Sequence, residues 1–390
     1  MKKKILIIYA SYGNGHKAIG KYIERYFLSQ DSTLEIKCLD LMDYAMPLIG
    51  KISQKVNSFF MLKTPIIHDM FYKGSNTVVG GYIVDYISTV LFKNKRMRKA
   101  LMDFNPHLTV ATHFFGSSLI SHYNRKGLIN SRLVTVVTDY ESCELWLNDY
   151  RCDDYLIVGD KSEVPFLVKR GIDKNKIKPL GIPIAPITDS DFKKENLLKK
   201  LDIKGNRLVC TFFGGGGNGS TTSIPYIKRL MKNNLDLDII YIAGNNKKSK
   251  EIVDNYIATN NIKNVHTLGF VTNVPEILQA SDFVISKPGG AQSTECLYFH
   301  KPIMMINASG GQEIANYKFF TKNGYGKRFR TSFGLTREIK NIVNNPIILK
   351  NMQGNMAKND NKDAMAKLYA LCKGLLMVDK KNYKAKINKN

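Results

Sequence analysis

No window of the 390-residue chain holds the ~18 consecutive apolar residues of a membrane-spanning helix. The best candidate, Tyr82 to Phe92, is short and is interrupted by Asp85. A secretory leader is also missing. Lys2–Lys4 is basic, but Ile5–Ala10 runs straight into a glycine turn and reads as a buried strand. These absences lead to the expectation of a cytoplasmic protein. The cysteines Cys38, Cys143, Cys152, Cys210, Cys296 and Cys372 are scattered and form no C-x-x-C pair, which argues for reduced thiols and no zinc site. Acidic residues are few, 33 Asp and Glu against 58 Lys and Arg, for a net charge of +25. Such a field favours a polyanionic partner, whether nucleic acid, anionic membrane or phosphorylated substrate, unless it serves solubility alone.

What is present is strand–helix alternation. Ile5–Ala10, Leu34–Leu39, Leu108–Thr112, Leu133–Thr138 and Tyr155–Val158 read as strands, with helices over Lys17–Ser29 and Ser162–Arg170. Residues 41–103 read as mostly helical and amphipathic. Leu180-Gly181-Ile182-Pro183-Ile184-Ala185-Pro186 breaks the pattern and reads as a linker. Alternation then restarts with strands over Leu208–Phe213, Ile239–Ala243, Val265–Leu268, Phe283–Ser286 and Ile303–Ile306. The reading is an α/β chain of two doubly wound parallel-sheet domains, residues 1–187 and 188–376, followed by a basic tail at 377–390.

Four loops after strands carry glycine, one in the first half of the chain and three in the second. The first is Ser11-Tyr12-Gly13-Asn14-Gly15-His16, where Gly15 allows a ligand to approach the backbone of a helix N-terminus. Gly13, Gly15 and Ala18 also satisfy G-x-G-x-x-A, with Asp40 after the second strand, so a dinucleotide-binding dehydrogenase has to be considered. His16 is an unusual residue for that role. A helix dipole would lower its pKa and favour a neutral imidazole able to act as a general base. The second loop, Gly214-Gly215-Gly216-Gly217, precedes a helix and suits a diphosphate cradle, and a further loop follows with Lys287, Gly289 and Gly290. Ser293 and Thr294 are placed in the first turn of the helix it opens, and Glu295 could accept from ribose hydroxyls. A last loop offers Gln312 and Glu313 as a polar pair for sugar hydroxyls. The three loops of the second half follow strands of one parallel sheet and so share its carboxyl edge, where ligands bind.

These residues resemble the processive diacylglycerol glucosyltransferases and the monogalactosyldiacylglycerol synthases over nearly the whole chain. The most specific segments are Ala10–His16, Thr138-Asp139-Tyr140 with Trp146, Gly181-Ile182-Pro183, Lys287–Glu295, and Gly311-Gln312-Glu313 with Asn316. The resemblance implies a GT-B architecture of two Rossmann-like domains flanking a cleft. It implies inverting transfer from a UDP-hexose, with no cofactor and no essential metal, to a diacylglycerol or glycolipid acceptor. His16 would be the catalytic residue, with Asp139 and Trp146 on the acceptor side. Glu295 would bind ribose, Gln312 and Glu313 the hexose, the glycines of 214–217 and 289–290 the diphosphate, and the backbone at Phe270 the uracil. Histidines that relatives carry near Trp146 are replaced here by Cys143 and Asn148. The D-x-D strings, Asp189–Asp191 and Asp236–Asp238, do not follow strand edges, in keeping with the implied absence of metal.

Between 51 and 103, Phe59, Phe60, Phe71 and Tyr72 lie among lysines, and Lys93, Lys95, Arg96, Arg98 and Lys99 follow. Apolar and aromatic residues with a basic fringe suit contact with an anionic membrane, here the inner face of the cell membrane; a core-packed helix with a solvated face is the plain alternative. Rival functions are transfer to a polyprenyl-linked wall precursor, a UDP-sugar epimerase, a sugar-nucleotide sensor, and a nucleic-acid binder. The last would need aromatics and basic residues along one groove, and three ligand loops on one edge argue against it.

Overall fold

The structure, a computed structural model, describes residues 2–11, 14–44, 77, 83, 86, 92–147, 153–184, 192–215, 221–308, 310–359 and 361–378. It separates into two units, residues 1–185 with 310–312 and 361–390, and residues 186–309 with 313–360.

The first unit contains β1 (Lys4–Tyr9), α1 (Asn14–Gln30), β2 (Glu35–Asp40), α2 (Leu41–Tyr44), α3 (Lys95–Phe104), β3 (Leu108–Ala111), α4 (Phe114–Arg125), β4 (Arg132–Val136), β5 (Tyr155–Ile157), α5 (Val164–Lys169) and β6 (Ile177–Lys178). Its sheet is parallel throughout, in the order β2-β1-β3-β4-β5-β6. β1 is almost wholly buried because helices cover both faces, so a continuous apolar run, rather than alternation, is the pattern a strand there requires. The chain leaves β1 toward β2 and then returns to β3 on the other side. The switch point of the sheet therefore lies between the carboxyl ends of β1 and β3.

The second unit contains α6 (Lys194–Lys200), β7 (Leu208–Phe213), α7 (Ile224–Lys232), β8 (Leu237–Ile242), α8 (Lys247–Thr259), β9 (Val265–Leu268), α9 (Val274–Ala280), β10 (Phe283–Ser286), α10 (Gly290–Tyr298), β11 (Ile303–Ile306), α11 (Gly310–Lys322), β12 (Gly326–Phe329), α12 (Ser332–Asn344) and α13 (Ile347–Ala357). Its parallel order is β12-β11-β10-β7-β8-β9. Successive residues of β7 and β8 feed opposite cores: Cys210, Phe212, Ile239 and Tyr241 one, Val209, Ile240 and Ile242 the other. The switch point lies between β7 and β10.

Several readings change. β6 and β12 were not foreseen; both are edge strands, and β12 carries Lys327 and Arg328, so it lacks the apolar run that marked the others. The chain's last described helix, α14 (Ala364–Met377), belongs to the first unit, not to the second domain where the sequence reading put it. It buries Leu368, Cys372 and Leu375 and sets the Tyr369 ring edge-on to Phe27, with centroids 5.1 Å apart. The reading of 180–186 as a free linker also needs amending. Gly181, at φ +91°, donates its N–H to the Val158 carbonyl at 3.1 Å, and Ile182 and Ile184 are buried. A Cβ at Gly181 would fall 2.7 Å from the Asn361 side chain, so glycine is required on two counts. Residues 185–191, and most of the tail at 377–390, lie outside the described residues.

Of the segment 41–103, Phe59, Phe60, Phe71 and Tyr72 lie outside the described residues. α3 is capped by Asn94, whose side chain accepts from the Met97 N–H at 2.9 Å, and buries Met97, Leu101 and Phe104. Its apolar face is thus spent on the core, while Lys95, Arg96, Arg98 and Lys99 are exposed. Ile83 and Tyr86 are exposed. Among the described residues, no helix is long and apolar enough to cross a membrane.

Removal of the Leu368 side chain from its fully buried site should cost about 2–5 kcal/mol. Thermal and urea unfolding of Leu368→Ala checks this. A loss below about 0.5 kcal/mol, the size of an ordinary surface change, would mean that α14 is not part of the core.

Candidate functional site

The first cluster forms at the switch point of the first sheet. β1 ends in the loop that opens α1 and places His16 in its first turn; β3 ends at Thr112 and His113. The His16 Nδ1 lies 2.8 Å from the Thr112 carbonyl oxygen and 2.9 Å from Thr138 Oγ1. A carbonyl can only accept, so Nδ1 carries the ring proton and Nε2 keeps the lone pair. Thr112 Oγ1 donates back to the His16 carbonyl at 3.0 Å, closing a two-way tie between α1 and β3. Burial lowers the His16 pKa below the usual imidazole value, while the Asp139 carboxylate and the bond to Thr112 act the other way. The sequence reading credited the helix dipole; burial is the leading cause.

Asp139 is buried on the loop after β4. That loop is braced by two carboxylates, Glu163 accepting from the Ser142 N–H and Glu144 paired with Arg170. Burial pushes the Glu163 carboxyl up. Trp146, placed on the acceptor side by the resemblance, is a core residue. It is 2% exposed, sits edge-on to Phe114 at 5.7 Å, and shares a cluster with Cys143, Leu156 and Leu167. Asp40 likewise loses its role as a ribose acid, since its Oδ1 accepts from the N–H groups of Ser11 at 3.2 Å and Met42 at 3.1 Å. That removes the main support for a dinucleotide site.

The second cluster lies on the carboxyl edge of the second sheet. Gly214 must lack a Cβ, which would sit 2.5 Å from Tyr241 Oη, and Gly215 has φ +87°. Gly216 and Gly217 lie outside the described residues. Phe270 is 68% exposed just beyond β9. At the end of β10, Gly289 caps α10 with open space where a Cβ would be. The first bond of this helix runs from the Ser293 N–H to the Gly289 carbonyl at 2.9 Å. The N–H groups of Gly290, Ala291 and Gln292 therefore precede the hydrogen-bonded turns at the positive end of α10, an arrangement suited to phosphate oxygens.

Ser293 closes the first turn of α10, as expected, and Thr294 follows it. Ser293 is fully buried, and the Thr294 hydroxyl donates to the Gly290 carbonyl at 2.7 Å. Glu295 is buried in the same helix. Gln312 and Glu313 are half-buried in the first turn of α11. Lys287 Nζ lies 4.0 Å from Glu313 Oε1, so opposite charges on two loops face each other. Asn316 is fully buried and donates its Nδ2 to the Pro288 carbonyl at 3.0 Å; it supports the glycine turn from beneath. Among the described residues, no three His, Cys, Asp or Glu side chains assemble as a metal-ligand set.

Thr112 and His113 were not singled out from the sequence, and Thr138 was named only as part of a motif. The signal was available in the strand ends, because every residue following a central parallel strand reaches the same edge as His16.

Residues 16–184 match the Monogalactosyldiacylglycerol (MGDG) synthase family and residues 212–368 the Glycosyltransferase family 28 C-terminal domain. A relative from Staphylococcus saprophyticus, named processive diacylglycerol beta-glucosyltransferase, is 27% identical across 96% of this chain and 92% of its own. In fold, the chain is similar to the UDP co-structure of S. aureus MnaA, with TM-score 0.62 and 13% identity over 96% of this chain and 98% of that one. It is also similar to Acinetobacter baumannii MurG, with TM-score 0.60 and 11% identity over 95% and 99%. Two parallel Rossmann-like sheets with these domains define a glycosyltransferase of the GT-B class. Within that class, residues 16–184 match the monogalactosyldiacylglycerol synthase domain, and the chain is similar along nearly its whole length to processive diacylglycerol beta-glucosyltransferases.

The folded pKa values of His16 and His113 both lie below the ordinary 6.5, His113 through burial first and then through His16. As pH falls, protons bind the unfolded chain before the native one. The contribution to stability is therefore complete above about 6.5 and declines as pH drops below that value. Urea unfolding at about pH 7.5 and about pH 5.5 should show a smaller acid loss in His16→Asn and His113→Asn than in the parent. Equal losses in all three would contradict the neutral pair.

Proposed function

We propose that the protein transfers a hexose from a UDP-sugar to diacylglycerol, or to a glycosyl-diacylglycerol, with inversion at the anomeric carbon and at an anionic membrane surface. The observation that carries this reading is His16, whose Nδ1 proton is committed to the Thr112 carbonyl and whose Nε2 is left to take a proton. The name of the relative supports diacylglycerol as acceptor and makes glucose the first hexose to test. In the reaction, the acceptor hydroxyl attacks the anomeric carbon, its oxygen forms the new glycosidic bond, and its proton passes to His16 Nε2. The bond from that carbon to the diphosphate breaks, and the electron pair leaves with UDP. Asp139 stabilises the imidazolium so formed. The N–H groups of Gly290–Gln292 and the Lys287 ammonium receive the charge that builds on the diphosphate, which supports transfer with no resident cofactor. Glu295 accepts from the ribose hydroxyls, and Gln312 and Glu313 from those of the hexose. The net charge of +25 supports the membrane surface, and the glycine-loop edge rather than a basic groove supports phosphorylated donors over nucleic acid.

Glu295→Ala should weaken UDP binding by about 1.5–3 kcal/mol, roughly tenfold or more, in calorimetry. Unchanged affinity would remove Glu295 from the donor site. His16→Ala should reduce turnover by about 10²–10⁴-fold while UDP affinity holds. Near-normal turnover in His16→Ala, with Asp139→Asn inactive and both folded, would move the base to Asp139. Flotation with anionic vesicles should weaken as salt rises, since exposed charges are screened over ~8 Å at physiological ionic strength. Salt-insensitive binding would count against the charged surface.

A further inference from the structure

The His16 ring does not stand alone. His113, at the N-terminus of α4, is 3% exposed, and its ring centroid lies 4.6 Å from that of His16 at an interplanar angle of 70°. The His113 ring is itself fixed. Its Nδ1 accepts the Phe115 N–H at 3.2 Å, capping the helix, and the rings of Phe114 and Phe115 lie 4.2 and 4.8 Å away. Because Nδ1 accepts there, the neutral ring carries its proton on Nε2, the opposite tautomer to His16. Histidine is an uncommon helix cap, and a smaller polar residue would satisfy the Phe115 N–H equally well. Capping alone therefore does not call for an imidazole.

We propose that His113 is a positioning residue for glycosyl transfer. Its ring, anchored by the cap and the two phenylalanines, packs edge-to-face with His16 and keeps that imidazole in the one orientation that directs Nδ1 to Thr112 and Nε2 to the acceptor. The proposal rests on the reading of His16 as the base. Burial, and then His16, hold His113 well below the usual imidazole range. The other groups facing His16 are the Thr112 carbonyl and the Thr138 hydroxyl, both at Nδ1, and the Asp139 carboxylate; the edge-to-face ring contact is made by His113.

The test uses the full chain. Long-range ¹⁵N–¹H histidine spectra of the parent protein should show Nδ1–H on His16 and Nε2–H on His113 near neutral pH. The reverse tautomer on either ring would overturn the proposal without any variant being made. His113→Asn keeps a capping oxygen, so melting temperature and UDP affinity should hold. Its kcat should fall by roughly ten- to a hundredfold, the scale of a misplaced catalytic group. The acid limb of its rate profile, and the His16 titration in the same spectra, should move to higher pH as solvent reaches the ring. Parental kcat with an unmoved His16 titration would reduce His113 to a helix cap. His113→Phe keeps the aromatic wall and should retain more turnover than His113→Asn; the opposite ranking would also overturn the proposal. Normal turnover in His16→Ala is a separate result that would sink the base assignment beneath it.

Discussion

The hydrogen bond from His16 Nδ1 to the Thr112 carbonyl, 2.8 Å long, holds the chemistry of the first unit to its sheet. It exists because β1 and β3 are neighbours in a parallel sheet whose connections run in opposite directions from β1. At that point the loops after the two strands diverge and leave room for side chains to meet. One main-chain acceptor then settles several properties together: the tautomer of His16, the plane of its ring and the identity of the nitrogen that can act as base. The return bond from Thr112 Oγ1 to the His16 carbonyl makes the tie reciprocal, so α1 cannot shift along the sheet without losing both.

The second sheet repeats the arrangement with different chemistry. Its switch point, between β7 and β10, carries glycines where the first carries histidine. There the backbone itself has to approach a ligand. The supporting side chains work from underneath: Tyr241 leaves no space for a Cβ at Gly214 and bonds to Ser249 Oγ at 2.5 Å, and Asn316 holds the Pro288 carbonyl. A glycine-walled helix N-terminus and a fixed imidazole are thus two products of one topology.

Much of this was readable in the sequence because central parallel strands, buried on both faces, must be written as apolar runs. β1, β7, β9, β10 and β11 were placed within a residue or two, and the glycine loops followed from them. What escaped detection has physical reasons. β12 is an edge strand and tolerates Lys327 and Arg328. The docking of α14 on the first unit is a long-range contact that no local pattern records. Asp40 looked like a ligand acid, but the chain uses it to bond the Ser11 and Met42 N–H groups, a role the same residue type fills at many turns. Trp146, ambiguous as a lone aromatic, proved to be core because Phe114 and Leu167 converge on it from distant segments. His113 went unnoticed because the strand before it was read for periodicity alone, whereas its importance comes from the neighbour across the sheet.

The central claim, transfer of a hexose to a lipid hydroxyl, is tested most directly by the product. Purified protein is incubated with UDP-glucose or UDP-galactose and diacylglycerol in anionic vesicles, and the lipid and nucleotide fractions are analysed by mass and by NMR. The account predicts a hexosyl-diacylglycerol with a β linkage and one UDP released for each sugar added. Release of free hexose, or an epimerised UDP-sugar with no glycolipid from either donor, would contradict it.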